Sequence, residues 1–241
     1  EADPASGRGR RVDPIRYRVR PGCHHARNPS RGAIGRPCRF SDPLYSPGGD
    51  LISLYNTLIA DAILSAPDQL RLKTRLYETL MRVFYEAYIP SYAISYDVLG
   101  DQEAFALKYG WELAIYFSFY VLPFINDLFT DPRFILPYLG RFSRLGPINR
   151  NMQPFISSYY QWKKVEKQPP ASPTFFDFYE FPPLRAAETL FYRVGLTAEE
   201  AVRVLDAQLA AMQEFARFIV AHISSTVVGD ESALVNRPFV E

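Results

Sequence analysis

The sequence predicts a mainly α-helical fold, and three of its features point to that class. Of the 241 residues, 48% are apolar and 15% aromatic, which is enough for one substantial hydrophobic core. From Phe40 onward, apolar residues recur at steps of three and four, the spacing of one helix face. No region is strand-rich, and no repeat of roughly 20 to 50 residues is visible.

Residues 1–39 differ sharply from the rest of the chain. Residues 1–40 contain ten Arg and no Lys against three acidic residues. The segment lacks periodicity and is rich in Pro and Gly, so it cannot bury enough apolar surface to offset the entropy cost of ordering. We expect it to be disordered. A basic arm for nucleic acid is the alternative, but Tyr17 is the one aromatic residue before Phe40, so we expect no nucleic-acid partner.

The first two helices follow a loop at residues 40–50. Asp50 is the expected N-cap of the first helix, which covers LISLYNTLIADAIL. The second helix begins beyond Pro67 and runs to about Tyr88. Pro90 should end it, because the residue before a proline disfavours helical backbone.

Three further helices are predicted before the last one. An aromatic-rich helix covers about residues 102–121 and is kinked or ended at Pro123. Thr-Asp-Pro at residues 130–132 starts a short helix that reaches about Leu139. A separate helix is expected between residues 148 and 167.

The last long helix has the clearest local signals. Thr197 and Glu200 form a capping-box pattern that marks its start. Apolar residues then recur at steps of three and four: Val202, Leu205, Leu209, Met212, Ala216 and Ile219. Residues 168–175, which precede it, have the composition of a loop.

Neither a membrane span nor an export signal is predicted. The longest apolar run, residues 113–125, is shorter than the 20 or so residues that a spanning helix needs. Residues 1–20 lack the apolar core of a secretory signal, so we expect a cytoplasmic protein. Beyond residue 40 there is no Cys and one His, His222, which argues against a cysteine nucleophile, a Ser-His-Asp site or a thiolate metal site.

The loop at residues 40–50 has the most specific local chemistry in the chain. Ser-Pro-Gly-Gly directly before a helix lets backbone N–H groups converge, and the helix dipole adds partial positive charge there. Such a place suits an anion or the electron-rich edge of a cofactor. Two tight turns without any ligand also explain the same residues, and the spacing alone favours that explanation.

The stretch SDPLYSPGGDLISLYNTLIADAI resembles the C-terminal FAD motif of the flavin-dependent halogenases, the tryptophan-halogenase-like branch of the flavin monooxygenases. The resemblance implies that these residues contact the flavin: Asp42, Pro43, Leu44, Tyr45, Gly48 and Gly49. It also implies that a halide binds the backbone amides of Ser46, Gly48 and Gly49. Pro47 has no N–H and Asp50 adds negative charge, which disfavour a halide and leave a monooxygenase or reductase open.

A looser similarity extends over about residues 40–230 and includes the aromatic-rich helices. In the family this region closes over the organic substrate. The resemblance thus favours a substrate pocket with aromatic walls, formed by Trp111, Tyr116, Tyr120 and Phe124. Core packing alone also accounts for these residues.

The same resemblance implies that the chain is the C-terminal helical portion of an FAD-binding α/β flavoprotein of the aromatic-hydroxylase type. No GxGxxG loop for the ADP half of FAD is present, so the dinucleotide-binding half is missing. Residues 40–65 then form an FAD-facing loop and helix, and residues 66–241 a substrate-side helical domain. Codons for residues 35–39, read one base later, can encode Asp-Ala-Pro-Ala-Gly, so residues 1–39 can also be explained as an out-of-frame segment.

The implied activity is FAD-dependent oxidation of an organic, aromatic substrate by halogenation or hydroxylation. A separate flavin reductase would supply reduced FAD as a partner. No catalytic residue can be carried over, because the family's catalytic lysine precedes the motif and every lysine of this chain follows it. We therefore expect this chain alone to be inactive. An FAD-dependent reductase of isoprenoid or lipid chains and a non-catalytic helical interaction module are the alternatives.

Overall fold

The structure, a computed structural model, describes residues 47–168, 177, 184–185, 189–190 and 193–229. Within these ranges every regular element is helical and no strand occurs, which confirms the predicted mainly α class. The expected disorder of residues 1–39 and the expected loop over residues 169–175 lie outside the described residues.

Helix α1, Pro47–Ile63, begins four residues earlier than the predicted start at Leu51. Asp50 is therefore not the N-cap but the acidic residue of the first turn. The physical reason is Pro47, whose fixed backbone angle suits the first helical position and whose missing N–H is not needed there. Asp50 still places negative charge near the unpaired N–H groups of the helix start.

Helix α2, Pro67–Ser95, does not end before Pro90 as the sequence indicated. It continues through the proline and leads into a 3-10 turn, Tyr96–Val98. The side-chain amide of Asn149, on a neighbouring helix, lies 3.5 Å from the carbonyl oxygen of Ala87 in the turn before the proline. Pro90 leaves the carbonyl of Glu86, one residue earlier, without its helical donor, so the Asn149 contact supports the backbone next to the interrupted step and does not replace the lost hydrogen bond.

The aromatic-rich segment is helical from Gln102 to Ile125 in three pieces. Helix α3, Gln102–Ile115, passes into a π-helical turn, Tyr116–Val121, and then into α4, Leu122–Ile125. The helix ends just beyond Pro123, close to the predicted place. A 3-10 turn, Leu128–Thr130, connects it to the next element.

Helix α5, Pro132–Val165, is one helix of 34 residues where the sequence indicated two. It contains Pro137, Pro147 and Pro154, each of which costs about 3 kcal/mol inside a helix. Eight apolar side chains are buried along its length: Phe134, Ile135, Tyr138, Phe142, Leu145, Met152, Ile156 and Tyr159. Each contributes about 1.5–3 kcal/mol when fully buried, so packing outweighs the prolines.

Helix α6, Ala198–Val228, begins where the capping-box pattern predicts. Thr197 accepts a hydrogen bond from the backbone N–H of Glu200, and the Glu200 carboxylate accepts one from the backbone N–H of Thr197. Gly229 ends the helix in the left-handed conformation, with φ of 70°. Every residue of the predicted apolar face is buried except Val202, which is half-buried.

Helix α5 lies against α2, α3 and α6, and an aromatic cluster fills the space between α5 and its neighbours. The rings of Phe84 and Phe142 have centroids 5.5 Å apart, and Tyr138 lies 5.5 Å from Phe142. Phe129 contacts Phe84 edge-to-face at 5.5 Å. Of the helices described here, none has a segment both long and apolar enough to cross a bilayer, in agreement with the short apolar run at residues 113–125.

The capping box predicts the effect of Thr197→Ala. We expect the free energy of unfolding to fall by about 1 kcal/mol, because the substitution leaves the N–H of Glu200 without its acceptor. Urea unfolding monitored by circular dichroism measures the change. Thr79→Ala is the matched control, since Thr79 is an exposed residue inside α2 and its loss should change stability by no more than about 0.5 kcal/mol. Equal losses in the two variants would contradict the capping role.

Candidate functional site

The residues that the family motif implicates lie at and before the start of α1. Five of them fall outside the described residues, so the structure neither supports nor opposes their roles: Asp42, Pro43, Leu44, Tyr45 and Ser46. Gly48 and Gly49 belong to the first turn of α1. A Cβ atom built on Gly49 meets nothing within 4 Å, so local packing does not require a glycine there.

A ladder of stacked aromatic rings runs beside the start of α1. We call it the aromatic ladder, and it consists of Tyr116, Tyr120 and Phe124. The Tyr116 and Tyr120 rings lie 5.7 Å apart at 14°, and those of Tyr120 and Phe124 lie 5.9 Å apart at 7°. Tyr120 is buried, whereas Tyr116 and Phe124 at the two ends are half-exposed. The structure thus brings together three of the four residues expected to wall a substrate pocket.

Asp50 joins the aromatic ladder to α1. The Tyr120 hydroxyl donates a hydrogen bond to the carbonyl oxygen of Asp50, 70 residues away in the chain. The Tyr116 hydroxyl donates to the Asp50 side chain. The first turn of α1 and the middle of the aromatic-rich segment are therefore fixed to each other through one residue.

The pair of Asp50 and Tyr116 is partly desolvated. Burial raises the pKa of Asp50, and the hydrogen bond from Tyr116 partly opposes that effect. Burial, together with the nearby Asp50 carboxylate, raises the pKa of Tyr116 to about 12. At neutral pH Tyr116 therefore keeps its proton and acts as the donor in this pair.

The π-helical turn sets the spacing of the aromatic ladder. Such turns insert an extra residue into a helix and release backbone carbonyls from the regular ladder. Side chains satisfy the released groups: Ser118 donates to the carbonyl of Ala114, and Gln208 of α6 reaches the same oxygen at 3.4 Å. Tyr138 of α5 donates to the carbonyl of Phe119 at 2.9 Å. Packing from α5 and α6 thus stabilises the irregular turn.

Trp111 lies apart from the aromatic ladder, inside the helix core. It is fully buried, its indole N–H donates to Asn149 Oδ1 at 2.8 Å, and its ring lies 6.0 Å from that of Phe215. These contacts involve α3, α5 and α6. For Trp111 the structure therefore favours core packing over a place in the wall of the expected pocket.

Beside Trp111 lies a buried polar group that sequence reasoning missed. Lys108, only 1% exposed, pairs with Glu112 one turn later on α3 at 2.5 Å. Gln153 of α5 donates to Glu112 at 3.3 Å and approaches Asn149 at 3.4 Å. Pairing lowers the cost of burying the lysine charge. The i to i+4 spacing of Lys108 and Glu112 was a local signal, but such pairs are usually exposed.

A second charged cluster joins the start of α3 to the ends of α5 and α6. We call it the Glu103 cluster. The Glu103 carboxylate lies 2.8 Å from Lys163 Nζ, 3.1 Å from the Tyr159 hydroxyl and 2.7 Å from His222 Nε2. Lys163 also pairs with Asp101 at 2.8 Å, and Asp101 caps α3 by accepting from the N–H of Ala104.

The partners of Glu103 favour its charged form. The hydrogen bond from His222 and those from Lys163 and Tyr159 lower the pKa of Glu103 to about 2, although burial opposes them. Burial alone would lower the pKa of Lys163, but its bonds to Asp101 and Glu103 raise it overall. Glu103 and Lys163 are therefore both charged and paired with each other at neutral pH.

The role of the Glu103 cluster is structural in the first place, because its members bind one another across three helices. Asp101 is the N-cap of α3 and Glu103 lies in its first turn, whereas Lys163 and His222 lie 60 and 119 residues from Glu103. In the part of the chain that the structure describes, no group of three or more His, Cys, Asp or Glu side chains could hold a metal ion.

Comparisons with family models, with curated proteins and with solved structures return no match to this chain.

The low pKa of Glu103 predicts a pH-dependent contribution to stability. The folded-state pKa lies below the ordinary value of 4.5, so the contribution is present above pH 4.5 and is lost as the pH falls towards 2. Glu103→Gln should lower the free energy of unfolding by about 2 kcal/mol at pH 7, after allowance for the partly exposed side chain. The difference from the unchanged protein should shrink steadily between pH 4.5 and pH 2.

Urea titrations at several pH values measure this difference. Glu214→Gln is the matched control, because Glu214 is exposed on α6 and pairs only with Arg217 among the described residues. Its effect should stay within about 0.5 kcal/mol at every pH. A loss in Glu103→Gln that is the same at pH 7 and pH 3 would show that the charge of Glu103 is not what stabilises the cluster.

Proposed function

We propose that this chain is the substrate-side part of an FAD-dependent oxidoreductase that halogenates or hydroxylates an organic, aromatic substrate. The proposal starts from the resemblance of residues 41–63 to the FAD motif of the flavin-dependent halogenases. Its structural support is the contact between the first turn of α1 and the aromatic ladder.

That contact joins two features that the sequence singled out separately. The motif loop leads directly into α1, and Asp50 in the first turn of α1 accepts hydrogen bonds from Tyr116 and Tyr120. Any group held by the motif loop would therefore lie near stacked aromatic rings. Flat aromatic ligands bind well against such rings, because offset and edge-to-face contacts are favourable.

The open space around Gly49 also supports the proposal. The backbone around it is ordinary helix, and a side chain there would meet no neighbouring atom. A glycine at a helix start is useful where another group must approach the backbone closely. A flavin edge beside the first turn of α1 is such a group.

Bound FAD would supply the redox chemistry, and the residues of this chain would supply position and environment. Asp50 and Tyr116 hold the start of α1, and Phe124 and Tyr116 offer half-exposed aromatic faces to a substrate. The described residues provide no candidate for the acid or base of the reaction that the motif would assign. The proposal therefore places the reacting groups of the protein outside the described part of the chain.

Genomic DNA across codons 1–40 and upstream gives the first test. If the proposal is correct, one of the three reading frames encodes a GxGxxG half that joins the motif at Phe40. An intact frame with no nucleotide-binding sequence upstream in any frame would contradict the proposal. Expression of the joined reading frame then allows a direct assay with reduced FAD, O2 and halide, in which halide-dependent product separates a halogenase from a reductase.

Flavin binding by the present chain provides a second prediction. We expect weak binding, with Kd above about 100 μM, because the residues named here would contact only the isoalloxazine and ribityl parts. Riboflavin, FMN and FAD should therefore bind within about threefold of one another. Ligand-observed NMR measures all three, and FAD binding more than tenfold tighter than riboflavin would contradict the expected lack of an ADP site.

Phe124→Ala connects this binding to the aromatic ladder. We expect it to weaken riboflavin binding by about three- to tenfold, which is the range that one ring contact accounts for. Phe218→Ala is the control, since Phe218 is 47% exposed on α6 and stacks on His222. Equal effects of the two substitutions would show that riboflavin does not bind at the aromatic ladder.

A further inference from the structure

A pocket of about 450 Å³ lies where α6 begins, outside the residues assigned to the flavin motif and the aromatic ladder. It is a wide, shallow depression, and apolar side chains form much of its wall. The lining residues are Leu190, Arg193, Leu196, Glu200, Arg203, Val204 and Ala207. Its volume falls within the range of pockets that take small ligands, about 300–1,000 Å³.

Hydrogen bonds from the Asn126 side chain hold one part of the pocket rim, the turn at residues 193–196. The Asn126 side chain donates to the carbonyl of Arg193 at 3.0 Å and accepts from the N–H of Leu196 at 2.9 Å. Gly195 lies between them with φ of 80°, a conformation that favours glycine. The Asn126 amide thus fixes the turn that carries Arg193.

Two arginine side chains at the pocket form no ion pair with another described residue. Arg193 and Arg203 are both exposed, and neither takes part in an ion pair with any residue that the structure describes. Glu200, the acidic residue of the pocket, is already bound through its carboxylate to the N–H and hydroxyl of Thr197.

The positive charges of Arg193 and Arg203 both act on the Glu200 carboxylate. The hydrogen bonds from Thr197 are the main cause of the lowered pKa of Glu200, and the positive charges of Arg203 and Arg193 lower it further. Both guanidinium groups therefore act on the volume around Glu200. With one carboxylate and two guanidinium groups, the pocket carries a net positive charge beside an apolar wall.

We propose that this pocket binds an amphipathic anion, a carboxylate or phosphate ester with an aliphatic chain. The head group pairs with Arg193 and Arg203, whose planar guanidinium groups suit both kinds of oxyanion. The chain lies against Leu190, Leu196 and Val204. This site is independent of the proposed flavin function, because it shares no residue with the motif or the aromatic ladder.

Calorimetric titration of the full chain with decanoate, decyl phosphate, decanol and inorganic phosphate tests the proposal. At least one decyl anion should bind with a Kd below about 1 mM, and decanol and inorganic phosphate at least about tenfold more weakly. The stronger of the two anions identifies the head-group chemistry. No saturable binding of either anion below about 5 mM, or decanol binding as tightly as the anions, would overturn the proposal.

Substitutions then locate the binding. Arg193→Gln and Arg203→Gln should each weaken anion binding about three- to tenfold and leave decanol binding unchanged. Ala207→Trp, at an exposed position of the pocket, should fill the space and weaken anion binding more than about tenfold. Arg75→Gln is the control. Arg75 is exposed on α2, so its substitution removes one positive charge at a place far from the pocket in the sequence. Anion binding that survives both pocket arginine substitutions, or falls equally with Arg75→Gln, would place the site elsewhere.

Discussion

Burial of the α5 helix is the constraint on which the rest of this structure depends. The helix contains three prolines and is stable only because its aromatic and aliphatic side chains pack against α2, α3 and α6. Tyr138 shows how much one residue contributes. Its ring contacts Phe84 and Phe142, and its hydroxyl supports the carbonyl of Phe119 in the π-helical turn. Without α5 in place, the irregular turn that carries the aromatic ladder would keep the contact from Gln208 of α6 but lose the hydrogen bond from Tyr138.

The candidate site follows from that packing. The π-helical turn brings the rings of Tyr116, Tyr120 and Phe124 into one stack, and Asp50 connects this stack to α1. The hydroxyl groups of the two tyrosines are used for this connection, and the two residues at the ends of the stack, Tyr116 and Phe124, are partly exposed. A single arrangement therefore provides both a rigid joint between two helices and an aromatic surface. These two properties make it the best-supported place for a planar ligand among the described residues.

Polar side chains join the helices at three further places, and each joins segments that are far apart in the chain. Glu103 connects α3 to α5 and α6, Gln153 connects α5 to α3, and Asn126 holds the turn before α6. These contacts stabilise a particular arrangement of helices, because an unpaired buried polar group is costly in any other arrangement. The pocket beside Asn126 results from such a contact, since its rim is fixed by the amide and its arginines remain exposed.

The sequence by itself determined the helical class and the elements whose causes are local. The capping box of Thr197 and Glu200 and the apolar face of α6 correctly located that helix, because both signals lie within a few turns of one another. The tertiary structure decided whether a proline ends a helix: Pro90 and Pro137 break local hydrogen bonding, but burial against distant helices offsets that cost. It likewise decided the partners of Glu103 and Asp50, and it separated Trp111 from the aromatic ladder. Such contacts join residues tens of positions apart, so no local pattern in the sequence encodes them.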